Sequence, residues 1–300
     1  MSKVIVVGSI NIDMTMVTDR LPRIGETILG DTVNYFMGGK GANQAVAAAR
    51  LAGDVRMVGS VGDDSFGDKA LKHLKKEGVV TDQIKVEKNI FTGMAAIFSI
   101  QADNSIVVLP GANGLVEVGE NFADLVEEGD IVLAQLEVPL TTVKQAFSIA
   151  REKGAKTILN PAPFDSGINE FIDLADIVTP NETEFAGMLD RDIDDSEIEA
   201  AMLEWSQAHD ALLIVTRGSQ GISYVREGQV LSIPTIEADV KDTTGAGDTM
   251  NGAFAALMAQ GSPLEEALRL SSIAATLSTT KVGAQTAMPY PKDLENYRKA

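Results

Sequence analysis

Residues 242–252 (DTTGAGDTMNG) place two carboxylates on either side of a segment that offers almost nothing but backbone. Gly245 and Gly247 allow the chain to turn tightly and to approach a ligand closely. An apolar, helix-compatible segment follows at 253–259, and the first N–H groups of a helix have no partners within it. Together with the positive end of the helix dipole, these donors predict a site for developing negative charge.

Asp248 stands beside this predicted anion site. A carboxylate there can accept a proton from a hydroxyl group as the hydroxyl oxygen attacks a phosphoryl group, which is the part that an Asp plays in kinases. The candidate catalytic residues are therefore Asp248, Gly245, Ala246 and Gly247. The structural alternative is that Asp248 only caps the helix, because Asp is a favoured N-cap residue.

A second glycine-rich segment, 38–44 (GGKGANQ), leads into an Ala-rich helical pattern. Lys40 and Asn43 offer donors and an acceptor, which suits a polyhydroxylated ligand because each hydroxyl needs one of each. The alternative is a loop whose glycines only ease the entry into the helix. No Gly-x-Gly-x-x-Gly follows the first strand, and no Gly-x-x-x-x-Gly-Lys-Ser/Thr occurs in the chain. A nucleotide would therefore have to be held in another way.

Strand and helix patterns alternate along the chain and define the elements that must position these residues. Strands are predicted at 3–7, 55–61, 131–135, 156–159, 176–179 and 211–215. Helices are predicted at 41–51, 65–77, 141–153, 182–189 and 196–208. This alternation predicts an α/β fold with a Rossmann-like, three-layer αβα main domain and a mostly parallel central sheet.

Two segments, 15–36 and 92–109, interrupt the alternation. The first contains Pro and Gly without a helical pattern, and the second has two β-rich runs around a predicted hairpin turn at 102–105 (ADNS). We predict that both segments form a small β-sheet lid. The α/β domain is then predicted to comprise residues 1–14, 37–91 and 110–300.

Several predicted strands run directly into polar residues. In open parallel sheets the ligand crevice lies outside the carboxyl ends of the strands, so these side chains are predicted to share one site. The polar residues in these positions include Asn11, Asp13, Glu137, Asn160, Asn181 and Glu184. The alternative is that strands must end somewhere and that loops are polar. Neither His73 nor His209 lies in such a segment, so both are predicted on helix surfaces.

Composition excludes several classes of protein. The 300 residues carry a formal net charge of −18, which would repel phosphate backbones, so neither nucleic acid nor an anionic membrane is expected as a partner. The absence of cysteine excludes disulfides, thiolate catalysis and zinc–thiolate sites. The N-terminal segment MSKVIVVGSI is too short in its apolar part for a signal peptide, and no apolar run approaches the roughly 18 residues of a membrane span. A cytoplasmic protein is therefore expected.

Taken in order, the segments above resemble the ribokinase family of carbohydrate kinases over essentially the whole chain. The matching segments are GSINID (8–13), GGKGANQ (38–44), LE (136–137), NPAP (160–163), PNETE (180–184) and DTTGAGDTMNG (242–252). Within the family, GGKGANQA together with Asn11 and Asp13 points to members that act on ribose. The resemblance therefore implies in-line, ATP-dependent phosphorylation of D-ribose at O5, which gives D-ribose 5-phosphate and ADP.

The resemblance also implies roles for individual residues. Asp248 would be the general base, and residues 245–247 would form the anion hole for the transferred phosphoryl group. The positions that contact the sugar correspond to Asn11, Asp13, Gly39, Lys40, Asn43, Glu137 and Asp248. The ATP-binding positions correspond to Asn181, Glu184, Thr216, Gly218, Ser219, Gly247 and Ser272. Asn181 has a structural alternative as the cap of the helix at 182–189.

Two metal ions are implied as well. Mg²⁺ would interact with Glu184 through water, and a monovalent cation, usually K⁺, would lie beside the anion hole. The positions that match the ligands of this cation are Asp242, Thr244, Ser278, Lys281 and Gly283. Ala287 stands where family members often carry a Ser hydroxyl ligand. Because backbone carbonyls survive a change of side chain, activation by the cation is expected to persist.

The family's lids pair edge to edge between subunits, and an exposed β-sheet has unpaired edges to satisfy, so a homodimer is expected. Three alternative functions stay open. A sister kinase would act on deoxyribose, fructose or a sugar acid. A nucleoside kinase would need an apolar base pocket where Lys40 and Asn43 lie. A catalytically silent sugar-binding protein is disfavoured by the presence of Asp248 and its two glycines.

Overall fold

The computed structural model describes residues 2–51, 53–100 and 103–298. Its strands are β1 (Val4–Val7), β2 (Asn11–Val17), β3 (Thr32–Gly38), β4 (Val55–Gly62), β5 (Val80–Glu87), β6 (Gly93–Ile100), β7 (Asp103–Leu109), β8 (Ile131–Ala134), β9 (Lys156–Leu159), β10 (Ile177–Val178), β11 (Leu212–Thr216), β12 (Ile222–Arg226) and β13 (Gln229–Ile233). Its helices are α1 (Lys40–Leu51), α2 (Ser65–Lys76), α3 (Phe122–Leu125), α4 (Leu140–Glu152), α5 (Glu182–Met188), α6 (Ile198–Ala208), α7 (Ala246–Ala259), α8 (Leu264–Ser278), α9 (Ala284–Ala287) and α10 (Pro291–Arg298). The longest helix, α8, has 15 residues, and none of the helices in these ranges is long and apolar enough to cross a membrane.

Nine strands form the main sheet, in the order β13-β12-β11-β10-β9-β8-β1-β4-β5. The strands from β11 to β5 pair in parallel, whereas β12 runs antiparallel to both of its neighbours. Val4 and Val6 of β1 pack into one core with α1, α2, α7, α8 and α10. Ile5 and Val7 pack into a second core with α3, α4, α5 and α6. Because helices cover both faces, the predicted three-layer αβα fold is confirmed.

Strand β1 lies where the strand order changes direction, with β4 on one side and β8 on the other. In sheets of this kind the ligand crevice lies outside the carboxyl ends of the strands at this point. Ser9 follows β1 and Glu137 follows β8, and the Ser9 hydroxyl donates a hydrogen bond to Glu137 Oε2 at 2.5 Å. The polar residues that follow these two strands therefore meet at one edge of the sheet.

A second sheet of four strands, in the order β3-β2-β6-β7, stands beside the main domain. Strands β2 and β6 pair in parallel, and the other two pairs are antiparallel. Strand β2 begins at Asn11 and β3 ends at Gly38, so the small sheet grows directly out of the segments that carry polar residues. We name this four-stranded sheet the lid.

The predicted hairpin turn at 102–105 is wrong for 103–105, which belong to β7. Asp103 pairs with Ile100 of β6, so the backbone ladder continues through the polar residues up to the connection itself. The remaining residue of that predicted turn, Ala102, lies outside the described residues. Strand β7 lies at the edge of its sheet, where polar side chains are tolerated. The polar residues at its start therefore do not interrupt the backbone pairing with β6.

Strands β5, β12 and β13 are not among the predicted strands; β5 and β13 are the two edges of the main sheet, and β12, which buries three of its five residues, lies next to β13. Edge strands bury less apolar surface than central ones, so they lack the continuous apolar runs by which central strands are identified. In β5 only two of eight residues are buried, and in β13 none is. The central strands, which position the site, are all present within two residues of their predicted ends.

Candidate active site

Helix α7 begins at Ala246 and has Gly245 as its N-cap residue in the left-handed conformation, with φ +76°. The helix therefore starts seven residues before the predicted apolar segment, because Gly245 provides the sharp entry. A Cβ atom at Gly245 would lie 2.7 Å from the Cβ atom of Ala284, so this position has no room for a side chain. Within the described residues, the amides of Gly247 and Asp248 have no protein acceptor. These amides are the donors that the sequence predicted for an anion.

Asp248 is the third residue of α7 and is buried, with 7% of its surface exposed. Its carboxylate does not cap the helix, so the structural alternative for this residue is wrong. Asn43 Nδ2 donates a hydrogen bond to Asp248 Oδ2 at 2.9 Å, and Gln44 Nε2 donates one to Oδ1 at 3.0 Å. Each carboxylate oxygen keeps a further lone pair for a substrate proton. The side chain is thus oriented by two donors from α1.

Gln44 is a site residue that was not predicted. Its Nε2 group also donates to Asn160 Oδ1 at 3.0 Å, and its Oε1 accepts a hydrogen bond from Gln135 Nε2 at 2.6 Å. Asn160 in turn donates to the carbonyl of Thr179 at 3.0 Å. This network joins the ends of three neighbouring strands to Asp248. The sequence contained a signal for Gln44 and Asn160, since both lie in segments that match the family.

The predicted sugar-binding residues come together on the lid side of Asp248. The Lys40 amide donates to Glu137 Oε2 at 3.0 Å, and this oxygen also accepts from Ser9. Burial, together with the charges of Glu137 and Asp248, raises the pKa of Asp13 to about 7. Three carboxylates therefore lie close enough to interact, in a place where each can accept a hydrogen bond from a hydroxyl.

Asn11 and Gly39 complete this side of the site. Asn11 Oδ1 accepts a hydrogen bond from Asn113 Nδ2 at 2.7 Å, which fixes the orientation of a buried amide. Gly39 has φ +88°, and a Cβ atom there would lie 2.6 Å from the Asn11 amide nitrogen. The glycine therefore permits the contact between the end of β3 and the start of β2. Asn113 was not predicted and lies in a 3-10 helix, Gly111–Leu115, without a local signal of function.

Lys40 supplies positive charge to this acidic site. The carboxylate of Asp248 is the main cause of a raised pKa for Lys40, burial opposes it, and Glu137 and Glu184 add to the increase. Burial raises the pKa of Glu184, although Lys40 lowers it. A charged Lys40 is therefore favoured among these carboxylates, and it remains a point charge that can meet an anionic ligand.

Asn181 and Glu184 form a reciprocal capping box at the start of α5. Asn181 Oδ1 accepts from the Glu184 amide at 2.8 Å, and Glu184 Oε2 accepts from the Asn181 amide at 2.8 Å. The structural alternative for Asn181 as a helix cap is confirmed. The cap uses one oxygen of each side chain, so Glu184 Oε1 stays available for a water molecule on a metal ion.

A cavity of about 850 Å³ opens beside the first turn of α7. Its lining includes five of the predicted ATP-binding residues, namely Thr216, Gly218, Ser219, Gly247 and Ser272. The other two, Asn181 and Glu184, do not line the cavity, but Asn181 forms a β-bridge with Thr216. The volume lies within the usual range for a pocket that binds a small molecule or cofactor. Gly247 lines the cavity and Asp248 is the next residue of α7, so the cavity lies next to the first turn that carries Asp248.

The predicted cation-binding segments lie against each other. Asp242 Oδ1 accepts from the Thr244 amide at 2.9 Å, and Oδ2 accepts from the Gly283 amide at 2.8 Å. Burial opposes ionisation of Asp242, but these hydrogen bonds lower its pKa. Among the described residues no cluster of three or more His, Cys, Asp or Glu side chains could hold a metal. A single carboxylate with backbone carbonyls would suit a weakly bound monovalent cation. Ala287, at the position where family members often carry a Ser ligand, is buried and offers no hydroxyl.

His73 does not lie on a helix surface as predicted. It is half-buried in α2, and its Nε2 atom lies 2.8 Å from Gln285 Oε1. The prediction fails because α9, which follows α2 by some 200 residues, packs near this position and supplies a polar partner. His209, at the end of α6, stacks on Trp205 and contacts Asp173, well away from the site.

Comparison with known proteins agrees with this geometry. Residues 1–291 match the family described as pfkB family carbohydrate kinase. Ribokinase of Bacillus subtilis (strain 168) is 41% identical over 297 residues, which cover 98% of this chain and 99% of that protein. Deoxyribokinase of Salmonella typhi is 32% identical over 297 residues, 97% of each chain. The structure of Arabidopsis thaliana ribokinase complexed with ribose and ATP has a TM-score of 0.92 at 32% identity, and the match covers 100% of this chain and 99% of that chain.

The family match covers most of the chain, and the relatives have nearly the same length, so the whole chain can be assigned to a family. The segments that carry Asp248, the glycine-rich turn and the polar strand ends lie inside the matched residues. The chain belongs to the pfkB family of carbohydrate kinases.

Proposed function

We propose that this protein transfers the γ-phosphoryl group of ATP to O5 of D-ribose. The position of Asp248 carries the proposal. Its carboxylate is fixed by Asn43 and Gln44 between the sugar-binding side chains and the cavity that Gly247 lines. The relatives named as ribokinases, and the ribokinase structure complexed with ribose and ATP, support the same two substrates.

Asp248 would take the proton of the sugar hydroxyl while O5 attacks the γ-phosphorus. The bond from phosphorus to the bridging oxygen of ADP breaks in the same step, so no phospho-enzyme forms. The unpaired amides of Gly247 and Asp248 would donate to the oxygens of the transferred group as its charge shifts. Because the two donors on α1 already fix the carboxylate, little reorganisation is needed during the reaction.

Two ions complete the proposal. Mg²⁺, bound mainly by the phosphates of ATP, would neutralise charge on the phosphates, and Glu184 would hold it through water. A monovalent cation, K⁺ by preference, would be held by Asp242 and by the backbone at Thr244 and Gly283. The residues fit this ion because Asp242 draws both of those segments together. The carbonyls of Ser278 and Lys281 belong to the same segment of chain.

The lid is proposed to close over the sugar and to join two subunits. Closure would exclude water and so limit ATP hydrolysis. Strands β3 and β7 are its edges, and the edge β7 exposes apolar side chains from Ile106 to Leu109, each more than 40% exposed. An unpaired apolar edge of this kind favours contact with a second copy of the same chain.

A sister sugar kinase is the second candidate, because a deoxyribokinase is 32% identical over nearly the whole chain. Ribose and deoxyribose differ by one hydroxyl, and a site built to bind that hydroxyl rejects the analogue that lacks it. The carboxylates of Asp13 and Glu137, with the amide of Asn11, offer several acceptors for vicinal hydroxyls. These acceptors favour ribose over deoxyribose.

The experiment that tests the proposal measures ADP release with a panel of acceptors. The purified protein is given ATP, Mg²⁺ and K⁺ with D-ribose, deoxyribose, fructose or a nucleoside, and the Asp248→Asn variant serves as control. We expect the highest kcat/KM with D-ribose, a phosphate on O5 in the product, and sugar-dependent release that falls by about a hundredfold or more in the variant. Higher kcat/KM with another acceptor would replace ribose as the substrate. The absence of release with all acceptors would indicate a silent sugar-binding protein.

A further inference from the structure

A series of three hydrogen bonds leads from Asp248 to His73. His73 is not among the residues proposed to contact substrate. Asn43 Nδ2 donates to Asp248 Oδ2 at 2.9 Å. Gln285 Nε2 donates to Asn43 Oδ1 at 2.9 Å. His73 Nε2 lies 2.8 Å from Gln285 Oε1. The two amides are 5% and 3% exposed, so protein groups and not solvent set their orientation.

We infer that His73 is a positioning residue: it fixes which way the amide groups of Gln285 and Asn43 are turned, and so keeps a hydrogen-bond donor on Asp248. An imidazole Nε2–H can only donate to Gln285 Oε1, which turns the amide NH₂ of Gln285 toward Asn43. Asn43 must then accept with Oδ1 and can only donate to the carboxylate. Each amide has two orientations of similar shape, and an imidazole that carries its proton on Nε2 selects the one described here.

The opposite direction would impair the base. If Gln285 turned around, its oxygen would face Asn43, and Asn43 would have to donate to it. Asn43 Oδ1 would then point at Asp248 Oδ2, and an acceptor facing a carboxylate disfavours the charged form. The carboxylate would lose an orienting hydrogen bond and would face a repulsive oxygen instead.

The charged groups around Asp248 and around His73, the two ends of this hydrogen-bond series, stay the same when His73 is replaced by a neutral residue. Asp13, Lys40 and Glu184 interact with the charge of Asp248. At the other end His73 interacts with Glu77, which is paired with Arg50 at 2.8 Å and lies near Lys76. Both the neutral imidazole and the imidazolium can carry a proton on Nε2, so the role of His73 does not depend on its charge.

The role rests on the proposed function, because it is measured through turnover. The test compares His73→Leu, which removes the donor, with His73→Gln, which keeps an NH₂ donor. Lys72→Leu, an exposed neighbour on α2, is the matched control. We expect His73→Leu to lower kcat about tenfold, the order of one hydrogen bond to a charged group, and to shift the acid limb of the kcat profile to higher pH. His73→Gln should restore both values toward wild type, and KM for the sugar should change little.

A double-mutant cycle with Gln285→Met separates positioning from general loss of structure. If His73 acts through Gln285, His73→Leu adds no further loss of kcat to Gln285→Met. An acid limb that stays in place in both single variants, with only the melting temperature lowered, would overturn the inference. Additive losses of kcat would overturn it too. If His73→Leu does not fold, the kcat profile of Gln285→Met is measured alone. An acid limb at higher pH would then support the inference, and an acid limb in the wild-type position would overturn it. A wild-type protein without sugar kinase activity would overturn the proposed function, and with it this role.

Discussion

Gln44 Nε2 donates a hydrogen bond to Asp248 Oδ1 over 3.0 Å, although 204 positions separate the two residues in the chain. The contact requires α1 and α7 to pack closely. Gly252 of α7 provides this approach, because a Cβ atom there would lie 2.3 Å from the carbonyl oxygen of Gln44. Gly252 and Asp248 are four residues apart, so they lie on the same face of α7, and the glycine helps to bring the Asp248 carboxylate within reach of α1.

The first prediction concerns the base itself. Asp248→Asn keeps the volume of the side chain but removes the proton acceptor, so kcat should fall by about 10²–10⁴, the contribution of general base catalysis. Binding of ribose should stay within a few-fold, since the other sugar-binding residues are untouched. ADP release and calorimetric titration with ribose measure the two effects. Turnover within tenfold of wild type would remove Asp248 from the role of base.

The second prediction separates packing from ligand binding in one helix. Gly252→Ala would force its Cβ against the Gln44 backbone and should destabilise the fold by about 1–3 kcal/mol, the usual cost of overpacking. Gly247→Ala, five residues earlier, meets no protein atom within 4 Å, so stability should be preserved. Its methyl group would enter the space proposed for the phosphates and should lower kcat/KM for ATP.

Urea unfolding and ATP kinetics on both variants measure this contrast. Gly114→Ala, whose Cβ also meets no atom within 4 Å, serves as a control outside α7. Unchanged ATP kinetics in Gly247→Ala would mean that the first turn of α7 does not contact the phosphates.

The central strands, several of the flanking helices and the glycine-rich turn before Asp248 could be predicted because their signals are local, whereas α8 was not predicted. A run such as 131–134 is continuously apolar because both faces of its strand are covered, and Asp248 follows a glycine-rich turn. The edge strands β5 and β13 could not be predicted from the same signal, because they bury little.

The polar network around the base could be predicted only in part. Asn43 lies in a segment whose chemistry is visible in the sequence. Gln135 lies at the end of an apolar strand, and Gln285 in a short helix near the C-terminus, where an amide has no local signal. Gln285 meets Asn43 across 242 positions of sequence. Such a contact depends on the packing of α9 against α1, which no periodicity or spacing in the sequence indicates.

The third prediction follows from the pKa of Asp13, which burial and the charges of Glu137 and Asp248 raise to about 7 from its ordinary value of 3.8. The folded protein therefore holds this proton more tightly. The stability that Asp13 contributes is complete at acid pH and is lost as the pH rises from about 4 to about 7. Asp13→Asn removes the titration, so its melting temperature relative to wild type should rise across that window.

Thermal unfolding in buffers of matched ionic strength measures this difference. Asp31→Asn, an exposed residue at the start of the same sheet, is the control and should show a constant difference. The Asp13 variant should also bind ribose more weakly, because it loses a carboxylate acceptor. A difference from wild type that is independent of pH would contradict the raised pKa.

The fourth prediction concerns the cation. Asp242→Ala removes the carboxylate that binds the amides of Thr244 and Gly283, so the two segments should separate and activation by K⁺ should weaken. Turnover is measured against KCl concentration at constant ionic strength. Asp239→Ala removes the same charge from an exposed position three residues earlier and should leave the activation curve unchanged. Equal K⁺ activation in both variants would exclude Asp242 from the cation site.

The last prediction concerns the edge of the lid. Val107 is 54% exposed on β7, and Ile106, Val108 and Leu109 beside it are exposed as well. If this edge joins two subunits by a two-fold axis, Val107→Glu places like charges in one interface and should convert a dimer into a monomer of 31.8 kDa. Sedimentation velocity measures the change. Val240→Glu introduces the same charge at an equally exposed residue outside the lid and should keep the dimer. A wild-type protein that sediments as a monomer at all concentrations would show that the lid serves the active site alone.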